Sequence, residues 1–492
     1  MMLPEQTMDM FQQQEMTSLL SKNLWTSLLI GGSILGVLIA FSFSKKGKLP
    51  QRIVLAIFFF LPWMVRFFSS GYAYDTRFAL LSKLSDLTTF TCCCFLLGRI
   101  FKGLSNTVTK ICVGIAILTL SGLAFTFLGL NSIFPQPSSI TNLIFVTLMA
   151  YMTLKNVPTN PLRFLGKRPL LAAFVILIFA YSFSHFLFVP LPPDADITSM
   201  GEMLGYLFQG QSLNKVATGF GEDWVLRYPA GFPSLAFVLS HLLNIRASEA
   251  MLLFWYLSFF LFIFTLISLG REFSLNPFLI ALFSLNGAIT GWFGLRGGQV
   301  HEMLGYALGV AHLTLLLEKK WLASALCLGA SIVIHPIIAL PFCVVFATFV
   351  LRDYSKEQPG AILQGVVVVL VCVGYIGFLG LGASSTLSQP QILLSELSSS
   401  IFVSNILKYF NEDTFGYGIF LIAIPVSSIF FSKEWSRSLF VLYPWFLGCI
   451  LIDGLFGHTH WAARFQKSFN LIGIWILSVS LTQRLWDVLW QS

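Results

Sequence analysis

The segment Pro192-Pro193-Asp194-Ala195-Asp196 puts two carboxylates two residues apart, directly after an apolar run. Such a pair can share a divalent cation, or one carboxylate can take a proton while the other positions a substrate; it can equally be an acidic loop without chemistry. Glu222-Asp223 follows, and then Arg227-Tyr228-Pro229-Ala230-Gly231-Phe232-Pro233. Proline suits the first turn of a helix, and Gly231 lets the backbone approach a neighbour closely. Further on come Arg296, His301-Glu302, His335-Pro336, His458, His460, Arg464 and Lys467. Arg464, Lys467 and Arg296 are the cationic members of this group. Asp194, Asp196 and Glu302 form an oxygen-rich set that could take Mg²⁺ or Mn²⁺, with Asp194 and Asp196 its core. His301, His458 and His460 offer an alternative zinc set, although interfacial histidines also serve by hydrogen-bonding loops or phosphates. His185 and His241 have no such company and read as structural.

The elements that position these residues follow from composition. The chain has 492 residues, 56% hydrophobic and only 11% charged. Soluble domains carry about 25% charged residues, so a water-covered surface is excluded and lipid is the main solvent. The cysteines (Cys92, Cys93, Cys94, Cys112, Cys327, Cys343, Cys372, Cys449) all lie in apolar runs, which argues against a disulfide framework or a zinc knuckle. The net charge of +8 is spread as short clusters between apolar runs, the pattern that sets membrane topology, and nucleic acid is excluded as a partner.

The expected fold is all-α and polytopic, with about 14–15 transmembrane helices. The apolar runs are roughly 24–43, 53–69, 78–98, 111–130, 140–154, 170–189, 250–270, 277–294, 303–317, 321–335, 338–351, 361–382, 415–431, 438–456 and 468–490. Residues 1–23 lack the basic start of a signal peptide and read as an outer segment. Lys45–Arg52, Arg99–Lys110 and Lys155–Arg168 follow alternate spans and share one side, taken as the cytoplasm. The loop 190–228 then lies outside. If the stretch 229–245 does not cross, Arg271, Lys319-Lys320, Arg352–Lys356 and Lys433–Arg437 all fall inside as well; if it crosses, all four move outside. The first choice makes 229–245 a re-entrant or juxtamembrane helix. It makes 321–351 a hairpin with His335-Pro336 at its outer tip, puts the N-terminus outside, and leaves the C-terminus in the cytoplasm of a cell-membrane protein. Every chemically interesting cluster then faces out. Within spans, Lys83 and Asp86 stand three apart and read as an ion pair.

In this setting the chain resembles the GT-C superfamily of integral-membrane glycosyltransferases, over roughly 185–490. Asp194 and Asp196 match the family's acidic outer-loop motif. Tyr228, Pro229, Gly231 and Pro233 match its Tyr-Pro element. Glu302 matches the acidic residue of a later outer loop, and Ala463-Arg464-Phe465 is similar to the basic-aromatic element near the donor phosphate. Six spans precede the acidic loop here, where the family usually has one, so 24–169 reads as an added module before a catalytic module 170–492. The resemblance implies transfer of a sugar from a polyprenyl-phosphate donor to a hydroxyl acceptor on the extracytoplasmic face, in glycan biosynthesis at the cell envelope, with inversion. Asp194, Asp196 or Glu302 would be the base and Arg464, Lys467 and Arg296 would hold the donor phosphate. Tyr228, His335, Glu222, Asp223, His458 and His460 would line the substrate cavity. The partners are then the lipid-linked sugar and membrane lipid. The competing readings are a polysaccharide polymerase or ligase, and a lipid or solute transporter.

Overall fold

The computed structural model describes residues 79–104, 106–156, 196–211, 229–273, 275–277, 280, 300–354 and 359–382. Among them the chain is all-helical, with no strand. The helices are α1 (Ala79–Gly98), α2 (Thr107–Phe127), α3 (Ser139–Asn156), α4 (Asp196–Phe208), α5 (Gly231–Leu243), α6 (Ala247–Glu272), α7 (Val300–Leu317), α8 (Trp321–Ile334), α9 (Pro336–Asp353) and α10 (Pro359–Gly382). Apolar composition sets these elements. Of them 4 are long and apolar enough to cross a membrane: Thr107–Phe127, Ala247–Glu272, Val300–Leu317 and, within α10, Pro359–Gly377.

Burial separates core helices from peripheral ones. α6 and α7 are apolar all round and almost wholly buried, which is how a central helix reads. α10 is as apolar but mostly exposed, showing Leu363, Val367, Leu370 and Val371 on its outside. α3 exposes Ile140, Ile144, Leu148 and Tyr151, a stripe along one face. Apolar exteriors of this extent fit lipid and not water.

Glycines set how closely the helices approach. A Cβ on Gly114 of α2 would overlap the Cys94 carbonyl of α1, and one on Gly98 of α1 would overlap the Lys110 carbonyl of α2. The two contacts fix α1 and α2 as an antiparallel pair with their backbones touching. Gly305 and Gly309 of α7 face the α8–α9 junction. A Cβ on Gly305 would stand 3.4 Å from the His335 Cβ, and one on Gly309 would run into the Phe342 ring of α9. Small residues four apart are the usual means of close helix approach in membranes.

The basic loops gather at one end of the bundle. Asn106, which caps α2, donates from Nδ2 to Ser268 near the end of α6. Gly103 in the α1–α2 loop lies beside Lys320 Nζ. The α7–α8 turn closes with Lys319 at φ 60, Lys320 N donating to Leu315 O at 2.8 Å and Lys319 N to Leu316 O at 3.0 Å. That is a Schellman closure. Arg99, Lys102, Lys110, Arg271, Lys319 and Lys320 thus belong to loops or helix ends at the same end.

α5 lies at the other end. Its start meets α2 and α8: the Ser234 and Thr126 hydroxyls are 2.9 Å apart, and a Cβ on Gly231 would come within 2.5 Å of the Val333 carbonyl. Its finish meets the α2–α3 loop and the start of α3. His241 contacts the Phe134 carbonyl at 2.8 Å, and Asn142 Nδ2 donates to Leu242 O at 2.7 Å. Both termini of α5 therefore rest on elements of the end away from the lysines. α6 then starts afresh, its first turn capped by Glu249, which accepts from Arg246 N at 2.8 Å.

One stretch expected as loop is helical. Residues 196–208 form α4, which buries Met200, Met203, Leu204 and Leu207 against α5. These positions follow helical spacing. The helix is 13 residues long, too short to register as a span, and the acidic and proline-rich sequence before it hides its apolar face. Asn131 anchors its end, donating to Leu207 O at 3.0 Å and Gln211 O at 2.8 Å.

Two stability tests follow. Gly114→Leu should lower stability by about 1–3 kcal/mol, the usual cost of overpacking, seen as a lower unfolding midpoint in detergent. Gly374→Leu, at a position with no atom of the described residues within 4 Å of an added Cβ, should not. His241 supplies the second. Burial pushes its pKa below the ordinary value, although contacts to the Phe237 and Phe134 carbonyls oppose this. The unfolded chain therefore takes the proton first. Stability should be full above about pH 6.5 and fall as pH drops through the lower native value. Unfolding midpoints of the protein and of His241→Gln, measured from pH 7.5 downward, should diverge in that direction only.

Candidate functional site

The site is built where α7 starts and α8 gives way to α9. Pro336 stops α8, since it lacks an N–H and disfavours helical backbone in the residue before it. His335 takes φ −152° and ψ 88° accordingly. Its backbone N donates to Ser331 O at 2.8 Å, closing α8, and its Nδ1 accepts from Ile338 N at 3.4 Å, capping α9. Ser331 Oγ donates to Gly305 O at 2.9 Å, which pins this junction to α7.

The first turn of α7 brings His301 and Glu302 to His335. The Nε2 of His335 stands 3.5 Å from Glu302 Oε1. The His301 and His335 rings stack, with centroids 5.2 Å apart and planes 16° apart. All three residues are buried: His301 is 0% exposed, Glu302 1% and His335 4%. A carboxylate so deep in apolar surroundings is costly unless it is compensated by a partner or a metal. The cluster sits at one end of the 18-residue α7, with Lys319-Lys320 just past the other. At 1.5 Å per residue the two are about 27 Å apart, close to the thickness of a bilayer's hydrocarbon core.

The candidate residues fall as follows. Glu302, expected in an outer loop, is instead in a helical turn and buried, because the apolar run of α7 begins at Val300. His335 stands at the turn between α8 and α9, the expected hairpin tip, and there caps α9 and neighbours Glu302. Asp196 is the first residue of α4. Asp194, Glu222, Asp223, Tyr228, Arg296, His458, His460, Arg464 and Lys467 lie outside the described residues. The pairing of His335 with Glu302 was missed from the sequence, where the two are far apart. The available signal was the Gly305/Gly309 spacing, which demands a close helix partner. His312 was also missed; it sits mid-α7, bonded to Ser324 Oγ at 2.7 Å, and ties α7 to α8. Lys83 and Asp86 are both buried on α1.

Comparison with known proteins finds no matching family model, curated protein or solved structure.

The cap and the ionic contact predict a non-additive pair. His335→Ala should cost about 0.5–2 kcal/mol from the cap, and more because Glu302 loses a neighbouring imidazole. Glu302→Gln placed in that background should recover part of the loss. A double-mutant cycle on unfolding in detergent reads this directly; strictly additive losses would show that the two side chains do not interact.

Proposed function

We propose that the chain is a multi-pass membrane glycosyltransferase of the GT-C type. It moves a sugar from a polyprenyl-phosphate donor to a hydroxyl acceptor at the extracytoplasmic face. The single observation that carries this reading is the buried carboxylate Glu302, held beside two imidazoles at the end of the helices opposite the lysine turn. The charge pattern supports an outward orientation of that end, where a lipid-linked sugar would present its phosphate.

In this reading the 229–245 stretch does not cross the bilayer, and the seating of both ends of α5 on one end of the bundle supports that. The short helix α4, packed on α5, then lies on the outer side as well. The acceptor hydroxyl gives its proton to a carboxylate, Asp194, Asp196 or Glu302, as its oxygen bonds to the sugar's anomeric carbon. The anomeric carbon's bond to the phosphate oxygen breaks and the phosphate leaves with the electron pair. No acid need protonate that leaving group, because Arg464, Lys467 and Arg296 balance its charge. The polymerase, ligase and transporter readings remain alternatives that share the topology and differ in what happens to the donor.

Membranes containing the protein should transfer labelled sugar from a polyprenyl-phosphate donor. Asp194→Asn, Asp196→Asn and Glu302→Gln should together identify the base, with at least one lowering transfer by about 10²–10⁴-fold. Arg464→Ala should weaken donor binding. Full transfer by all three carboxylate variants would overturn the proposal, and movement of intact donor across the bilayer without transfer would favour transport.

A further inference from the structure

We infer that His301, Glu302 and His335 bind one divalent transition-metal ion of the zinc class. Each residue offers one ligand atom, and the three atoms lie within 4.8 Å of one another. They come from two separate elements, the first turn of α7 and the α8–α9 junction, so the fold assembles the cluster and local sequence does not.

The spacing of His335 and Glu302 is that of two ligands to a common ion. A charge-assisted N–H···O contact closes to about 2.7–2.9 Å, whereas His335 Nε2 and Glu302 Oε1 stand 3.5 Å apart. Two ligands about 2.0–2.1 Å from a tetrahedral zinc are roughly 3.3 Å from each other. Two imidazoles on one such ion hold their ring centres roughly 5 Å apart; the rings of His301 and His335 are 5.2 Å apart but stacked at 16°, so one ring must turn to bring the ion into both planes. All the ligand-atom separations are within 4.8 Å, and ion binding would draw the longest of them in to about 3.3 Å.

The surroundings hold the ligands in place. Gly305 backs directly onto His335, and the Ser331 hydroxyl locks α8 to the same turn of α7. Ligation through Nε2 puts the ring proton of His335 on Nδ1. The long bond from Ile338 N is then given up.

The donor set decides the class of ion. Two imidazoles and one carboxylate suit Zn²⁺ and the neighbouring Co²⁺, Fe²⁺ and Mn²⁺, while Mg²⁺ and Ca²⁺ prefer oxygen alone. Three protein ligands leave a position open, as catalytic zinc sites do. This set differs from both groupings suggested by the sequence, the Asp194–Asp196–Glu302 oxygen site and the His301–His458–His460 site. Metal binding is read here without any sugar substrate, so its failure and the failure of the transferase reading are distinguishable.

The test uses the full chain, purified in detergent and stripped with a chelator, with Co²⁺ and Zn²⁺ as probes. The protein should take up one Co²⁺ with visible d–d absorption, and Zn²⁺ but not Mg²⁺ should displace it. His301→Gln, His335→Gln and the near-isosteric Glu302→Gln should each weaken Co²⁺ binding at least about tenfold, and His458→Gln/His460→Gln should leave it unchanged. Size exclusion confirms which variants are folded; Glu302→Gln keeps the His335 cap and so reports even where a histidine variant does not fold. Absence of stoichiometric Co²⁺ in the unsubstituted protein would overturn the inference. So would an unchanged spectrum in folded Glu302→Gln, or loss confined to the His458/His460 variant.

Discussion

The close approach of α7 to the α8–α9 junction is the constraint on which the site depends. Gly305 and Gly309 strip one face of α7 to backbone, so that His335 and Phe342 can press against it. A side chain at Gly309 would run into the Phe342 ring and push α9 away from α7. Lipid supplies no hydrophobic drive between apolar helices, and membrane helices therefore rely on tight packing and internal hydrogen bonds. Ser331 to Gly305 and His312 to Ser324 are bonds of that kind, and they join α7 to α8 at two heights.

The same economy of polar groups explains the bundle's two ends. Lysines and arginines collect at one end, where Asn106 and Ser268 tie the α1–α2 loop to α6. The opposite end is covered by the short helices α4 and α5, fixed by Asn131, Asn142, Thr126 and His241. A buried carboxylate survives at that end because histidines share its pocket. Placing it there costs desolvation energy, and groups kept at such cost in membrane proteins are characteristically functional.

Much of the helical scaffold was legible in the sequence. The runs 78–98, 111–130, 250–270, 303–317, 321–335, 338–351 and 361–382 correspond to α1, α2, α6, α7, α8, α9 and α10, because hydrophobic length is a strong signal in lipid. α4 was not legible, since a short amphipathic helix inside an acidic stretch has neither the length nor the apolar fraction of a span. Of the site, the residue types at Glu302 and His335 were legible as candidates. Their juxtaposition was not, because it depends on helix packing and not on spacing along the chain. The acidic pair at Asp194 and Asp196 shows the reverse case: its spacing is plain in the sequence, while its relation to Glu302 is a matter of tertiary structure.

The packing of α7 on the α8–α9 junction can be measured directly by cross-linking. A Cβ at position 305 would lie 3.4 Å from that of His335, close to the roughly 3.5–4.5 Å spanned by a disulfide. In a chain otherwise free of cysteine, Gly305→Cys/His335→Cys should form an intramolecular disulfide on mild oxidation in native membranes, detected by mass spectrometry. Two thiols that both remain reactive toward maleimide after oxidation would contradict the assembly of His301, Glu302 and His335 at one point.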